Sequence, residues 1–327
     1  MLSKLELGDG HNLGTTDGQI ALDCSVRKTR QGHYCISTTD FFFPLVDSPY
    51  VQGRIGAANV LSDLYAEGVP YCDSMLMLLA VCRDMEEEHQ EICTREMVKG
   101  FRDACREAEC PITGGQTVLN PWPIIGGVAT SICAEGDFVP SDGAQVGNVV
   151  VLTKPLGTQV AVNVHEWKRK DNKWWKDCSP HISAEQAETL MHNAVCSMAR
   201  LNKNAGRLMV DFQACAATDV TGFGIVGHAQ NLISNQANTK LGMRIHTLPC
   251  LAHSAAINEH VLNFGLLKGT SAETSGGLLI CMPPDQAQAY MDALKAADDA
   301  DAWIIGDVVE DPDRKAVLVD GFKVLEV

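Results

Sequence analysis

One predicted helix carries a carboxylate that nothing nearby in the sequence would neutralise. Residues 52–66 are rich in small and apolar side chains, and Asp63 lies among them, four residues after Asn59 and so on the same helix face. A carboxylate buried without a partner costs free energy, so a metal ion or a charged ligand is expected beside it. A role for Asp63 as the cap of a neighbouring loop remains equally open.

Three further aspartates stand beside apolar segments. Asp219 lies where an apolar stretch gives way to a glycine-rich helix start, Asp40 follows a short predicted strand, and Asp23 comes directly after Ala21 and Leu22. Carboxylate oxygens suit Mg²⁺, which takes one or two of them together with phosphate oxygens. The aspartates therefore predict a magnesium and phosphate site, although Asp219 can equally be a plain helix N-cap.

Two glycine pairs are predicted to form tight turns that a ligand could approach. The first turn comprises Gly114, Gly115, Gln116 and Thr117, between a predicted helix and a predicted strand, and the second is 273–277 (ETSGG). Glycine lets the backbone come close to a ligand, and Gln and Thr side chains can hydrogen-bond a ribose or a base. Spacing alone favours a plain connection that binds nothing in both cases.

Several common catalytic signatures are missing from the sequence. Residues 222–227 (GFGIVG) match the glycine pattern of dinucleotide-binding sites, but no acidic residue stands about 20 positions further on, as that fingerprint requires. The chain contains no P-loop, no G-x-S-x-G nucleophile turn and no H-E-x-x-H zinc motif. A Rossmann site is therefore disfavoured, and P-loop nucleotide hydrolysis is excluded.

Composition excludes further classes of function. With 26 basic and 41 acidic residues the net charge is −15, which disfavours nucleic-acid binding and anionic membranes as partners. A phosphorylated ligand would need cations to mediate its contact. The 13 cysteines include no C-x-x-C pair, so we expect reduced thiols in a cytoplasmic protein. The N-terminus has no apolar signal core, and the longest apolar run, 75–82, is too short to span a membrane.

Alternating strand and helix patterns in both halves predict an α/β or α+β protein. A Gly-, Asp- and Pro-rich stretch at 134–148 predicts the boundary between an N-terminal domain, 1–140, and a C-terminal domain, 141–327. The basic and aromatic residues 167–176 are expected to form a solvated surface loop. The main predicted helices are 52–66, 86–109, 184–209, 221–234 and 284–297, and the main predicted strands are 34–38, 75–82, 124–133, 149–153, 276–282 and 302–309.

Six motifs follow one another along the chain: STTDFFFPLVDSPY, GRIGAANVLSDLYAEGV, TGGQTVLNPW, VLTKPLGTQVAV, ATDVTGFGIVGHAQNL and ETSGGLLI. Each is a weak signal alone, but their combination is highly specific. From about Leu22 to Val327 the chain resembles the selenophosphate synthetase (selenide, water dikinase) family in its eukaryotic form. The resemblance implies a two-domain ATP-binding fold like that of aminoimidazole ribonucleotide synthetase, and a homodimer whose N-terminal sheets pair between subunits.

The resemblance also implies a reaction and a set of site residues. Family members convert ATP, selenide and water to selenophosphate, AMP and orthophosphate, and selenophosphate supplies selenium for selenocysteine synthesis. By the motif match, the Mg²⁺ ligands are Asp23, Asp63 and Asp219. The implied nucleotide contacts are Ala21, Leu22, Asp23, Asp40 and Asp63, together with Gly114, Gly115, Gln116 and Thr117, which would reach ATP across the dimer.

One departure from the family pattern concerns catalysis. The family carries a Gly-rich segment near its N-terminus, with a Cys or selenocysteine closely followed by a catalytic Lys, and residues 1–22 contain no such segment. We therefore expect a truncated form that makes little or no selenophosphate, with the catalytic residues outside this chain. Two alternatives are another synthetase or kinase of the same superfamily, and a catalytically silent nucleotide-binding subunit.

Overall fold

The first half of the chain forms a five-stranded sheet packed against two helices. A computed structural model describes residues 23–327, and the strand order in this sheet is β1-β2-β5-β3-β4. Strands β3 and β4 pair in parallel, and the other pairs are antiparallel. The elements are β1 (Ser25–Lys28), β2 (Tyr34–Phe42), α1 (Pro49–Ala66), β3 (Ser74–Cys82), α2 (Glu87–Glu107), β4 (Ile112–Asn120) and β5 (Ile124–Cys133).

The second half forms a six-stranded sheet with the strand order β11-β8-β10-β6-β9-β7. Here only β8 and β11 pair in parallel. The strands are β6 (Val149–Leu152), β7 (Ala216–Asp219), β8 (Leu241–Cys250), β9 (Leu278–Met282), β10 (Trp303–Glu310) and β11 (Ala316–Glu326). The helices are α3 (Thr158–Arg169), α4 (Lys173–Cys178), α5 (Ala184–Ala199), α6 (Lys203–Asp211), α7 (Gly224–Asn235), α8 (Ser254–His260) and α9 (Pro284–Asp298).

Helix α1 lies between the two halves, and its sequence explains how. Ser48 caps the helix by accepting from the Val51 amide, and Pro49 stands in the first turn, where no amide donor is needed. The helix packs against β2 and β5 on one side and against β7, α5 and α6 on the other. Because both sides are covered, small and apolar side chains surround it, as its composition predicts.

Two apolar clusters stabilise the molecule. The first combines α1 and the first sheet with side chains of β9 and α9, such as Ile280 and Tyr290, and the second fills the space between the second sheet and α3, α5 and α7. Residues 134–148 connect the two sheets. The division into independent domains at residue 140 stays a prediction, since the first cluster contains residues from both halves.

The predicted helix 184–209 is wrong as a continuous element, because it is two helices separated at residues 200–202. Arg200 adopts an extended backbone, and its guanidinium donates to the Thr153 carbonyl at 2.7 Å. The Asn202 amide donates to the Ser62 hydroxyl at 2.9 Å and to the Gly276 carbonyl at 2.8 Å. These long-range hydrogen bonds replace the backbone hydrogen bonds of a continuous helix. The apolar periodicity of residues 184–209 does not reveal them, because their partners are distant in the sequence.

The predicted turn at 114–117 is also wrong, because these residues lie within strand β4. The strand runs parallel to β3, with a register shift between Met75 and Leu76. Gly115 has φ +149°, and a Cβ placed on it would lie 2.0 Å from the Met77 carbonyl oxygen. The glycine is therefore needed for close pairing of two strands rather than for a turn.

The basic and aromatic segment 167–176 is not a surface loop, because it contains the end of α3 and the start of α4. Trp167 is buried and stacks on Trp174 and Phe264, with ring centroids 5.7 Å apart in both pairs. The apolar rings thus join the second core cluster. Within residues 23–327, no helix is long and apolar enough to cross a membrane, and all 13 cysteines are unpaired thiols, most of them buried.

Candidate active site

Three aspartates meet where α1 touches the second half of the molecule. Asp23 precedes β1, Asp63 lies near the end of α1, and Asp219 is the last residue of β7. Each offers one carboxylate oxygen, and the three oxygens lie within 4.8 Å of one another. The aspartates that the sequence singled out as metal ligands, nearly 200 positions apart at the extremes, are therefore brought together by the fold.

Hydroxyl groups of adjacent strands orient two of these carboxylates. Thr38 of β2 donates to Asp63 Oδ2 in a short hydrogen bond, and Thr218 of β7 donates to Asp23 Oδ1 at 3.0 Å. Thr38 and Asp40 share the face of β2 that points to α1, because side chains alternate along a strand. The site thus depends on both sheets and on the helix between them.

Burial and mutual repulsion make the three carboxylates hard to ionise in the free protein. Burial is the largest cause in each case, and it raises the pKa of Asp219 to about 6. The pKa values of Asp23 and Asp63 are raised well above their ordinary range by burial and then by the neighbouring aspartates. A bound cation would stabilise such a cluster, because its charge compensates for the hydration that the buried carboxylates have lost.

The unpaired oxygens of the cluster fit a metal ion. Asp23 Oδ2 and Asp219 Oδ2 are buried and have no hydrogen-bond partner among the described residues. Buried polar atoms are normally satisfied, so two unpaired carboxylate oxygens within this cluster are suited to a cation. Oxygen-only ligands of this kind are those that Mg²⁺ prefers.

Asp40 stands outside the trio and is held in place by Asn59. The Asn59 amide nitrogen donates a short hydrogen bond to Asp40 Oδ2, and Asp40 Oδ1 accepts from the Phe41 amide at 2.8 Å. The side-chain oxygen of Asn59, Oδ1, accepts a hydrogen bond from the Ser275 backbone amide at 2.9 Å. One buried asparagine therefore fixes an acidic residue of β2 and a turn of the second half at the same time.

The turn at 273–277 is held rigidly beside the aspartates. Ser275 has a positive φ of 46°, and its carbonyl accepts from the buried Lys154 ammonium at 2.8 Å. A Cβ on Gly276 would lie 2.0 Å from the Val220 carbonyl oxygen, and the Glu273 amide donates to the Thr221 carbonyl at 2.9 Å. The turn thus supports the segment directly after Asp219.

The remaining sequence-predicted residues lie elsewhere. Gly114, Gly115, Gln116 and Thr117 are exposed on the edge strand β4, three strand spacings from β2, or about 14 Å. Within one chain they are not part of the aspartate cluster. Ala21 and Leu22 lie outside the described residues, so their predicted nucleotide contact stays a prediction.

The chain matches two family models that together cover most of its length. The AIR synthase related protein N-terminal domain matches residues 21–133, and the C-terminal domain of the same family matches residues 145–319. Over 312 residues the chain is 51% identical to selenide, water dikinase 2 of Homo sapiens, covering 94% of this chain and 69% of that protein. The selenide, water dikinase of Dictyostelium discoideum is 48% identical, with 94% and 86% covered.

The chain belongs to the selenide, water dikinase family.

Solved structures with the same fold are much more distant in sequence. AaThiL complexed with AMPPCP and TMP superimposes with a TM-score of 0.68 at 19% identity, covering 93% of this chain and 89% of that one. Hydrogenase maturation protein HypE in complex with ATP gives 0.62 at 15% identity, covering 84% and 77%. These likenesses confirm the predicted two-domain AIR synthetase-like fold class.

The sequence analysis missed the roles of two residues beside this candidate site, since it did not single out Lys154 and it treated Glu273 only as part of the 273–277 turn. Lys154 is completely buried and donates to the carbonyls of Arg200 and Ser275, at 2.8 Å each. Glu273 accepts from the Gly157 and Thr158 amides at 2.7 and 2.9 Å. A lysine directly after the apolar run VVVLT was the available signal for the first, while the second depends on contacts more than 100 residues apart.

Proposed function

We propose that this chain uses ATP and water to convert selenide to selenophosphate, with AMP and orthophosphate as the other products. About half of its residues are identical to those of proteins named selenide, water dikinase, over 94% of its length. The observation that carries the proposal within the molecule is the buried cluster of Asp23, Asp63 and Asp219 with its two unpaired oxygens. Anionic substrates can approach such a cluster only together with cations.

The aspartate cluster supports Mg²⁺ as the cation. Asp23, Asp63 and Asp219 would hold it, and when bound it would neutralise the polyphosphate of ATP and the charge that develops on its oxygens. Asn59 holds Asp40 beside this position, and Lys154 and Glu273 keep the adjoining turn in place. The chain's own contribution is thus to orient carboxylates in a rigid frame, so that little reorganisation is needed during phosphoryl transfer.

An apolar sheet face supports the predicted homodimer. Phe41, Leu76 and Ile132 are exposed on strands of the first sheet, where alternation points them away from α1. Leu119, on the edge strand β4, is 69% exposed. An exposed apolar sheet face that continues onto an edge strand usually pairs with another chain. In a dimer, strand β4 of the second copy could reach the aspartates, from which the strand is distant within one chain.

The cysteines support a cytoplasmic location, because they are free thiols and thiols stay reduced in the cytoplasm.

Phosphorus NMR tests the proposed reaction. The protein is incubated with ATP, MgCl₂ and selenide, and spectra are compared with those of Asp63→Asn under the same conditions. Selenophosphate, AMP and orthophosphate that form with the wild-type chain and not with Asp63→Asn support the proposal. ADP as the stable product would favour a simple kinase of the superfamily, and bound but unchanged ATP would favour a nucleotide-binding subunit. The same spectra test the sequence-based prediction that this chain makes little or no selenophosphate, which a product signal growing at the rate of an intact enzyme would contradict.

A further inference from the structure

The glycine-rich segment 222–227 is followed directly by a buried histidine. The segment includes the start of α7 and lacks the acidic partner of a dinucleotide site. His228 is 6% exposed, whereas Phe223 is 67% exposed. Gly222 has no atom within 4 Å of the position that a Cβ would take. The connection from Asp219 to α7 therefore reaches the surface at its middle, where packing does not hold it.

The imidazole of His228 holds this connection through its backbone. Nε2 accepts from the Thr221 amide at 3.0 Å and from the Phe223 amide at 3.3 Å, and it lies 3.2 Å from the Thr221 hydroxyl. A ring nitrogen that accepts from an amide N–H carries no proton, so the ring is neutral with its proton on Nδ1. Burial lowers the pKa of His228 to about 4, which agrees with a neutral ring at neutral pH.

His228 takes the place of an ordinary helix cap. The N-cap residue of α7 is Phe223, and no side chain caps the helix from that position, where Ser, Thr, Asp or Asn would usually accept from the first amides. The acceptor comes instead from within the helix, five residues further on. Without it, two backbone donors in a partly buried region would lose their partner, which costs free energy.

The 273–277 turn contacts the same backbone from another side. The Val220 amide donates to the Gly277 carbonyl at 3.0 Å, and the Thr221 carbonyl accepts from the Glu273 amide at 2.9 Å. The residues directly after Asp219 are thus fixed by the turn and by His228 together. Because Asp219 is one of the three clustered carboxylates, a shift of this backbone would displace a proposed metal ligand.

We propose that His228 is a positioning residue of the metal and nucleotide site. Its neutral ring holds the backbone of residues 221–223, so that Asp219 keeps its place in the aspartate cluster. His228 acts through this backbone and not by touching the metal or the nucleotide. The inference rests on the proposed function for the identity of the ligand, ATP with Mg²⁺, but it does not require that the chain forms selenophosphate.

Two substitutions of His228 separate its acceptor from its volume. His228→Leu removes the acceptor, whereas the side-chain oxygen of His228→Gln reaches about the position of Nε2 and can accept from the same amides. Calorimetric titration of ATP in the presence of MgCl₂ measures the affinity. We expect roughly tenfold weaker binding to His228→Leu, as the loss of one or two hydrogen bonds predicts. His228→Gln should restore binding to within about twofold of the wild type, since both hydrogen bonds can form again.

A matched control tests whether a less stable α7 is sufficient to weaken binding. Ile233 is fully buried in the same helix, and Ile233→Val removes a core methyl group without touching residues 219–223. We expect a lower melting temperature and an unchanged affinity for ATP with Mg²⁺ in this variant. Circular dichroism shows whether each variant is folded.

A second pair of variants serves if His228→Leu does not fold. His228→Asn carries the same amide group as His228→Gln on a shorter side chain, so its oxygen lies near the position of Nδ1 and does not reach the two amides. His228→Asn should then bind ATP with Mg²⁺ more weakly than His228→Gln does.

Three results would overturn the inference alone. They are equal affinities of the wild type and the folded variant that lacks the acceptor, a loss in His228→Gln as large as in that variant, and an equal loss in Ile233→Val. The last result would assign the effect to the stability of α7. A wild-type chain that does not bind ATP with Mg²⁺ would instead contradict the proposed function, and the inference with it.

Discussion

Asn59 links the two halves of the candidate site through a single side chain. Its amide uses both ends, donating to Asp40 and accepting from the Ser275 amide, and it is 4% exposed. It does not belong to the three carboxylates that would hold the metal. Its effect on nucleotide binding should therefore be separable from metal binding.

We expect Asn59→Ala to weaken ATP binding roughly tenfold while the affinity for Mn²⁺, used as a paramagnetic substitute for Mg²⁺, changes little. The substitution frees Asp40 and the 273–277 turn but leaves the metal-binding carboxylates in place, and one or two lost hydrogen bonds account for this magnitude. Electron paramagnetic resonance measures bound Mn²⁺, and calorimetry measures ATP. Asn193→Ala, at an exposed position of α5, is the control. Equal losses of both affinities would contradict a positioning role.

The aspartates also predict how Mg²⁺ binding depends on pH. Because burial raises the pKa of Asp219 to about 6, the metal-free folded chain holds more protons than the unfolded chain between about pH 4 and pH 6. The contribution of Asp219 to the stability of the metal-free folded chain is therefore present at low pH and is lost as the pH rises through 6. Mg²⁺ requires the deprotonated carboxylates.

The increase in melting temperature caused by Mg²⁺ should accordingly be small at pH 5 and largest at pH 8. Differential scanning fluorimetry with and without MgCl₂ measures it, and NaCl at matched ionic strength controls for screening. A Mg²⁺-induced increase of the same size at both pH values would show that the buried carboxylates do not bind the ion.

At the scale of elements, strand β4 depends on the geometry of two adjacent glycines. A Cβ on Gly115 would lie 2.0 Å from a carbonyl oxygen of β3, whereas the nearest atom to a Cβ on Gly114 is a Leu76 methyl carbon at 3.4 Å. The two positions have the same residue type and neighbouring places in the sheet. They differ in the space around them and in the positive φ of Gly115.

Gly115→Ala should lower the free energy of unfolding by about 1–3 kcal/mol, from backbone strain and displacement of β4. Gly114→Ala should change it by no more than about 0.5 kcal/mol. Urea denaturation followed by circular dichroism compares the two. Equal destabilisation by both substitutions would mean that the close approach of β4 to β3 is not what the glycine provides.

Elements with strong local patterns were predictable, and those set by distant contacts were not. Helices α1 and α2 and strands β3 and β5 lie within three residues of their predicted bounds, because continuous or periodic apolar residues define them. The helix break at 200–202 depends on Thr153, Ser62 and Gly276. Strand β4 depends on pairing with β3. Neither dependence is visible within a short window of sequence.

The sequence predicted the acidic residues of the candidate site but not the residues that hold them in position. Asp63 and Asp219 could be singled out because carboxylates in apolar surroundings need partners. The roles of Lys154 and of the 273–277 turn come from contacts across both halves of the chain. The family could be predicted only from the combination of six motifs in their order along the chain, because each motif alone is a weak signal.

At the scale of the whole molecule, the exposed strand β4 predicts association. The wild-type chain should sediment as a dimer of 35.3 kDa subunits at micromolar concentration. Leu119→Lys should shift it towards the monomer, because a charge on an exposed apolar edge strand opposes pairing with another chain. Val210→Lys, at an exposed apolar position of α6, is the control. A wild-type mass near that of one chain would contradict the dimer.

The measurement that tests the central claim most directly is calorimetric titration of ATP with and without Mg²⁺. We predict saturable binding to the wild-type chain that requires Mg²⁺, at least tenfold weaker in Asp63→Asn and in Asp219→Asn, because each substitution removes a proposed metal ligand. Both variants should remain folded, with unchanged or higher melting temperatures in the absence of metal, since a repelling buried charge is removed. Unchanged Mg²⁺-dependent affinity in either folded variant would contradict the assignment of that aspartate to the nucleotide site.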